Sequence, residues 1–462
     1  MEALRAVVFV RPSLRPCAAR AEGTSLQSAP EFYAPEMREA PVIVLIGAGS
    51  TSFGLSTLHD LYADPVFTRA TVRLVDLDRA ALERMQQLAS ALEHATARGI
   101  TVELATDRVD ALPGADAVVV SVEVDRDRRW QLDYEIPRRY GVEHVLGENA
   151  GPGGLAHALR TIPLVAGIAR DVERLAPDAL LVNFTNPEGR ICTAFRRHMD
   201  MPVIGLCHEV QQALDRFSGL LGRPIECRAA GLNHLTALLD ARDPANGDDL
   251  TAELHSMVDR LEDRDGDTYS FVRHLHDRFG VVIATSDSHA GEYYREAPEY
   301  APPKEFLTRQ QRLRGFVDGV VDGIIAGTID MDAFLAWEAT EPLRPILRAS
   351  ISGDPERVAS AILPNDGLVP ALPSDCAVEV SAVASDAGVR GDCSDDLPLA
   401  FAATLRHEVA IQQLVADAAF LGSREAALQA LLLDPVVGSA RAAEAILADF
   451  ETEHADLIPA LS

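Results

Sequence analysis

Two residues, Cys207 and His234, carry the chemistry hardest to assign to packing. Each closes a short glycine-marked motif, Gly205-Leu206-Cys207-His208 and Gly231-Leu232-Asn233-His234. A thiolate and an imidazole are both donors that transition metals accept, so the pair can sit on one ion. Either residue alone has a plainer explanation, because a free cysteine is often just a small buried apolar group. A second group adds weight. Glu148 lies in the glycine-rich run Gly147-Glu148-Asn149-Ala150-Gly151-Pro152-Gly153-Gly154, ahead of a long helical stretch, Leu155 to Leu175.

Strands have to deliver these groups. Ala179 to Phe184 is an apolar run that stops at Asn186-Pro187, and Val203 to Leu206 is another that ends on Cys207 and His208. Ligands of open α/β sheets bind at the carboxyl ends of such strands. Farther upstream, Val42-Ile43-Val44-Leu45-Ile46 runs into Gly47-Ala48-Gly49-Ser50-Thr51-Ser52-Phe53-Gly54 and a helix through Asp64. A strand, a glycine turn and a helix N-terminus make a pyrophosphate site. Ser52 stands where the usual fingerprint has its third glycine. Thr71 to Val75 predicts a second strand ending at Asp76, whose carboxylate suits the ribose hydroxyls of NAD and disfavours a 2′-phosphate. Ala115 to Ser121 reads as a buried parallel strand. The alternation gives an α/β fold, a Rossmann-type doubly wound parallel sheet of the lactate/malate dehydrogenase kind, followed by a C-terminal α+β catalytic part.

Composition removes several functions. The chain has 462 residues, 70 acidic against 42 basic, and a net charge of −28. Phosphate backbones and anionic membranes repel such a surface, so no nucleic acid and no membrane is expected. No apolar run reaches the ~18 residues of a membrane span. Lys304 is the single lysine, which disposes of P-loop and Schiff-base chemistry. The six cysteines are scattered without a C-x-x-C pair, as in a reduced cytoplasmic protein.

The order of motifs resembles glycoside hydrolase family 4, the NAD- and divalent-metal-dependent glycosidases. The resemblance rests on Gly47-Ala48-Gly49-Ser50-x-x-Phe53, on Asp133-x-x-Ile136-Pro137-x-x-Tyr140-Gly141-Val142, and on Gly151-Pro152-Gly153-Gly154 leading to Leu159-Arg160-Thr161-Ile162-Pro163. It continues through Asn183-Phe184-Thr185-Asn186-Pro187, the Cys207 and His234 motifs, Leu372-Pro373 to Val378-Glu379-Val380, and Gln429 to Pro435. It covers the chain from about residue 41 to the end.

The resemblance implies that Cys207 and His234 hold Mn²⁺, and that Gly47, Gly49, Ser50, Thr51, Ser52, Phe53, Asp76 and Asn183 line NAD. It assigns Asn186, Glu148 and His289 to the sugar. It implies Asp287 or Tyr293, in Thr285-Ser286-Asp287-Ser288-His289-Ala290-Gly291-Glu292-Tyr293, as the base that removes the carbon 2 proton. The family oxidises carbon 3 of the sugar transiently, eliminates the aglycone, adds water and returns the hydride, so the net reaction is hydrolysis. His208 stands where relatives acting on 6-phosphorylated sugars carry Asp or Asn, and Trp130 stands where they carry a substrate-binding arginine. The resemblance sets His208 with the branch acting on unphosphorylated α-galactosides, α-glucosides and α-glucuronides, and Trp130 points away from sugar phosphates, so an unphosphorylated, α-linked hexoside is expected. Glu209 replaces the serine of the α-galactosidase-like branch, which keeps an anionic glycone, such as a uronide or a sulfonated sugar, as the alternative.

The expected organisation is a disordered extension over 1–38, an NAD-binding domain over 39–200 and a metal- and substrate-binding domain over 201–462, working as a homodimer or homotetramer on a small-molecule glycoside. Ser385 to Leu399 reads as a loop, and Pro298 to Lys304 as a surface connection or lid. Two rival classes compete. A plain 2-hydroxy-acid dehydrogenase leaves Cys207 unexplained. A non-catalytic sugar or nucleotide sensor is at odds with metal ligands and a full nucleotide turn occurring together.

Overall fold

A computed structural model describes residues 37–263, 267–300, 306–337 and 342–462. Most of the 1–38 extension, and the Ala301 to Lys304 part of the proline-rich connection, lie outside the described residues. Met37 and Arg38 are described. The Met37 amide donates to the Ser350 carbonyl, and Arg38 pairs with Asp116 at 2.8 Å.

The first strand sets the frame. β1 (Val42–Ile46) alternates its side chains between two cores, Ile43 and Leu45 on one face of the sheet and Val44 and Ile46 on the other. A strand buried on both faces has to be apolar throughout, and this one is. It pairs in parallel with β2 (Thr71–Val75) and β4 (Ala117–Val120). With β3 (Thr101–Ala105), β5 (Leu180–Asn183) and β6 (Ile204–Gly205) these strands run in the order 3-2-1-4-5-6. Helices α1 (Thr51–Ala63), α2 (Arg79–Thr96), α3 (Arg126–Arg139), α4 (Gly151–Leu175) and α5 (Glu188–His198) are the longer crossovers.

The same 12-stranded sheet continues past β6 with antiparallel strands. These are β10 (Glu356–Pro364), β11 (Ala377–Ser385), β7 (Glu226–Leu232), β8 (Leu235–Arg242) and β9 (Val282–Ile283). One row of partners crosses five strands: Gly205, Ile362, Glu379, Gly231 and Thr236. Cys207 lies two residues beyond this row and His234 three, so the sheet draws both motifs towards Glu379.

One segment differs from expectation, and another takes a form the sequence left open. Ser385 to Leu399 is not all loop, because β12 (Gly388–Gly391) folds back on β11 and buries Val389. The charged stretch after Arg126 is α3. Its inner face carries Arg129, Trp130, Asp133 and Ile136, and the charges there are matched, Arg160 to Asp133 at 2.6 Å and Arg129 to Asp456 at 2.6 Å. Sequence periodicity does not show such pairing partners.

Candidate active site

The nucleotide turn is built by close approach. Gly47 has φ +90°, and a Cβ there would lie 1.9 Å from the Ser121 carbonyl oxygen, so no other residue lets β1 turn against β4. The Gly49 amide donates to Asp76 Oδ2 at 2.9 Å, and the Asp78 amide to Asp76 Oδ1 at 3.0 Å. Asp76 therefore stands against the turn, with acceptor capacity left for hydroxyl donors. Ser50 precedes α1 without capping it through its side chain, which leaves first-turn amides for an anion. Thr51 points elsewhere. Its hydroxyl donates to Asp318 at 2.9 Å, in a network with Arg84. Ser52 is exposed, and the Phe53 ring packs 5.7 Å from Phe184. Asn183 is fully buried and closes on its own turn, bonding the Thr185 amide and carbonyl.

The metal candidates sit deeper. Cys207 is buried. Burial, followed by the carboxyls of Glu188, Glu379 and Glu209, pushes its thiol well above the ordinary range. A cation reverses that balance, because it displaces the thiol proton and is attracted by the same carboxyls. Burial, with His289 and His208 nearby, holds His234 well below 6.5, so its imidazole is the neutral form that metals bind. Its Nδ1 is buried without a hydrogen-bond partner. His234 also has φ 64°, a left-handed conformation that histidine adopts more readily than most side chains, at a cost of about 1–2 kcal/mol.

The hairpin turn carrying His234 is held from three sides. Tyr293 Oη donates to the Asn233 carbonyl at 2.7 Å, and Thr285 Oγ1 donates to the His234 carbonyl at 3.1 Å. Glu379 accepts from Thr236 at 2.8 Å and from Ser360 at 2.7 Å, with the Asn233 amide beside it. Cys207 and His234 each offer one donor of a kind that cations accept, a thiol and an imidazole nitrogen without a partner. Among the described residues no group of three His, Cys, Asp or Glu side chains is arranged to hold one, so substrate oxygens and water would complete the coordination. The sequence reading assigned His234 to the C-terminal part without naming its strands, and its turn joins the antiparallel pair β7 and β8.

Around this pair, Glu209 lies 3.7 Å from His208 and 3.9 Å from His289, whose ring meets His234 edge to face with centroids 4.6 Å apart. Asp287 is fully buried, and its Oδ1 accepts from the Phe271 and Val272 amides, both at 2.9 Å, at the start of α6 (Ser270–Phe279). Its Oδ2 has no partner. Burial and the nearby carboxyls push the Tyr293 phenol well above its usual range. On the other side, Glu148 Oε1 lies 3.5 Å from Asn186 Nδ2 and 2.9 Å from Arg126. Asn149 Oδ1 and Nδ2 and Asn186 Oδ1 are buried and unmatched, as expected of groups that wait for a polyhydroxylated ligand.

Three residues escaped the sequence reading as site members. Glu123 and Arg126 follow β4 at the ligand-binding edge, and that position was the available signal. Glu379 was quoted as part of a motif, but its place between Cys207 and Asn233 depends on strand register.

Comparison with known proteins follows the same lines. Residues 42–222 match the model of the family 4 glycosyl hydrolases, and residues 229–437 match that family's C-terminal domain. An α-glucosidase of Erwinia rhapontici is 32% identical, with 87% of this chain and 95% of that one covered. An α-galactosidase of Bacillus subtilis is 29% identical over 90% of this chain and 99% of its own. Among solved structures, a 6-phospho-α-glucosidase from gut microorganisms, in complex with NAD and Mn²⁺, superposes with TM-score 0.77 at 20% identity, covering 92% of this chain and 100% of that one. Among the described residues no helix is long and apolar enough to cross a membrane.

Proposed function

The chain belongs to the family 4 glycosyl hydrolases, and from that premise we propose that it hydrolyses unphosphorylated, α-linked hexosides with NAD⁺ and Mn²⁺. One observation carries the reading. A buried thiol stands near Glu188, Glu379 and Glu209, and a neutral imidazole with an unpartnered Nδ1 stands near His289 and His208, in a chain that also builds a nucleotide turn. When bound, NAD⁺ and the cation supply transient oxidation at carbon 3 and acidity at carbon 2.

The chain's residues do the rest. The Gly47 to Ser50 turn and the amides of α1 hold the pyrophosphate, and Asp76 orients the ribose. Cys207 and His234 hold the cation. Asn186, Glu148 and His289 line the glycone. Asp287 Oδ2 accepts the carbon 2 proton, because Oδ1 is engaged with two amides and Oδ2 is not. His208, 44% exposed and beside Glu209, serves the leaving oxygen. Exposed Leu399, Leu421, Leu432 and Leu433 on the C-terminal helices support a homodimer or homotetramer, and the free cysteines support a reducing cytoplasm.

A panel of nitrophenyl α- and β-glycosides, assayed with and without NAD⁺, Mn²⁺ and a thiol reductant, tests this. Activity should require all three, and solvent deuterium should enter carbon 2 of the product. Undiminished hydrolysis without NAD⁺, or a product free of deuterium, would overturn it.

A further inference from the structure

The loop after β4 places Glu123 and Arg126 beside Glu148, where neither has been given a role. Arg126 lies 3.3 Å from Glu123 and 2.9 Å from Glu148, and its guanidinium covers the Trp130 ring at 4.9 Å. Glu148 in turn contacts Asn186, so this cluster borders the glycone side. Glu148 alone balances the guanidinium; burial pushes the Glu123 carboxyl up to about 7, so near neutral pH it adds part of a second negative charge, and more as pH rises. The other inward arginines of this face are already matched, Arg160 to Asp133 and Arg129 to Asp456. His157, 3.4 Å from Glu123, is held near pH 3 by burial and nearby Arg160, so it adds no positive charge at neutral pH.

We propose that Glu123 is a specificity-determining residue which, with Glu148, neutralises Arg126 and so restricts the site to uncharged glycones. A uronate or phosphate entering here meets no unpaired cation, and it has to displace a carboxylate from Arg126 or lie beside two of them. Like charges facing each other in a desolvated site discriminate more strongly than an attractive contact gains. Trp130 takes part as a neutral face, because its indole Nε1 donates to the Leu146 carbonyl at 3.2 Å and the ring supports Arg126. The inference rests on the glycosidase reading and selects its substrate class.

The test compares nitrophenyl α-glucoside and α-galactoside with the matching uronides, for the holoenzyme and for Glu123→Gln, with NAD⁺, Mn²⁺ and reductant. Wild type should favour the neutral glycosides. Glu123→Gln should move the kcat/KM ratio towards the uronides by about tenfold or more, chiefly through KM, since one carboxylate then remains on Arg126. Adding Arg126→Gln to Glu123→Gln should cancel that shift. A second measurement needs no variant: galactose should inhibit the wild-type enzyme competitively at concentrations where galacturonic acid does not. Equal turnover of uronides by wild type, equal inhibition by the two sugars, or an unchanged ratio in a folded Glu123→Gln protein would overturn the inference. Wild type that cleaves none of the four glycosides would instead overturn the glycosidase reading itself.

Discussion

Glu292 and Tyr293 are neighbours in the chain and fasten two distant pieces of the site. The Glu292 carboxylate accepts the amides of Glu148, Asn149 and Ala150 at 3.2, 2.7 and 2.7 Å, where α4 begins. The Tyr293 hydroxyl donates to the Asn233 carbonyl, in the turn that carries His234. One short turn, Gly291–Tyr293, thereby sets the Glu148 loop against the turn that carries His234.

Tyr293→Phe separates positioning from catalysis. The phenol is a donor to a buried carbonyl, and losing it should destabilise the fold by about 1–3 kcal/mol. Mn²⁺ affinity should fall about 10-fold or more, because the His234 turn loosens. Denaturant melts and metal titration of activity check this. A rate loss of about 10²–10⁴ at saturating Mn²⁺, with unchanged stability, would instead make Tyr293 the base.

Glu292 predicts a pH dependence of stability. Burial first, and Glu148 second, raise it from 4.5 to about 8 against the pull of three amides. Between those values the folded protein keeps a proton that the unfolded chain has lost, so stability falls as pH rises. Glu408, raised to about 7 chiefly by burial, acts with the same sign. His144 and His157, lowered to about 4 and 3, oppose this only below 6.5. Thermal melts should therefore show Tm declining from about pH 6.5 to pH 8, with a shallower slope in Glu292→Gln. An equal slope in the variant would contradict the assignment.

Asp287 permits a clean substitution pair. Asn keeps an oxygen for the Phe271 and Val272 amides but lacks a basic oxygen, so Asp287→Asn should fold normally and lose about 10²–10⁴ in kcat. Asp287→Ala also loses the helix cap and should cost about 1 kcal/mol more in stability. If Asp287→Asn keeps wild-type kcat, another group removes the proton.

Chelation addresses the metal pair. EDTA should abolish activity, and Mn²⁺ with a reductant should restore it in wild type but not in Cys207→Ser at comparable concentrations. His234→Asn should lose metal dependence and keep its melting temperature, because Asn tolerates the left-handed turn. Full metal-dependent turnover in Cys207→Ser would remove Cys207 from the site.

The sequence by itself determined the parallel half of the sheet. Val42 to Ile46 can only be a strand buried on both faces, Gly47 and Gly49 mark a turn where side chains do not fit, and Asp76 ends the next strand. Local patterning and backbone sterics suffice there, because the signal and the structure lie in the same few residues. Tertiary structure alone decided the rest. The charges of α3 have no visible partners in the sequence until Asp133 is seen against Arg160, and Glu379 is a motif residue until register places it between Cys207 and Asn233. Asp287 and Tyr293 look alike as bases until one proves to have an unpartnered oxygen and the other a donor bond to Asn233. These contacts join residues tens to hundreds of positions apart. What fixes them is which strand lies beside which, together with the loss of water around buried charges, and periodicity along the chain encodes neither.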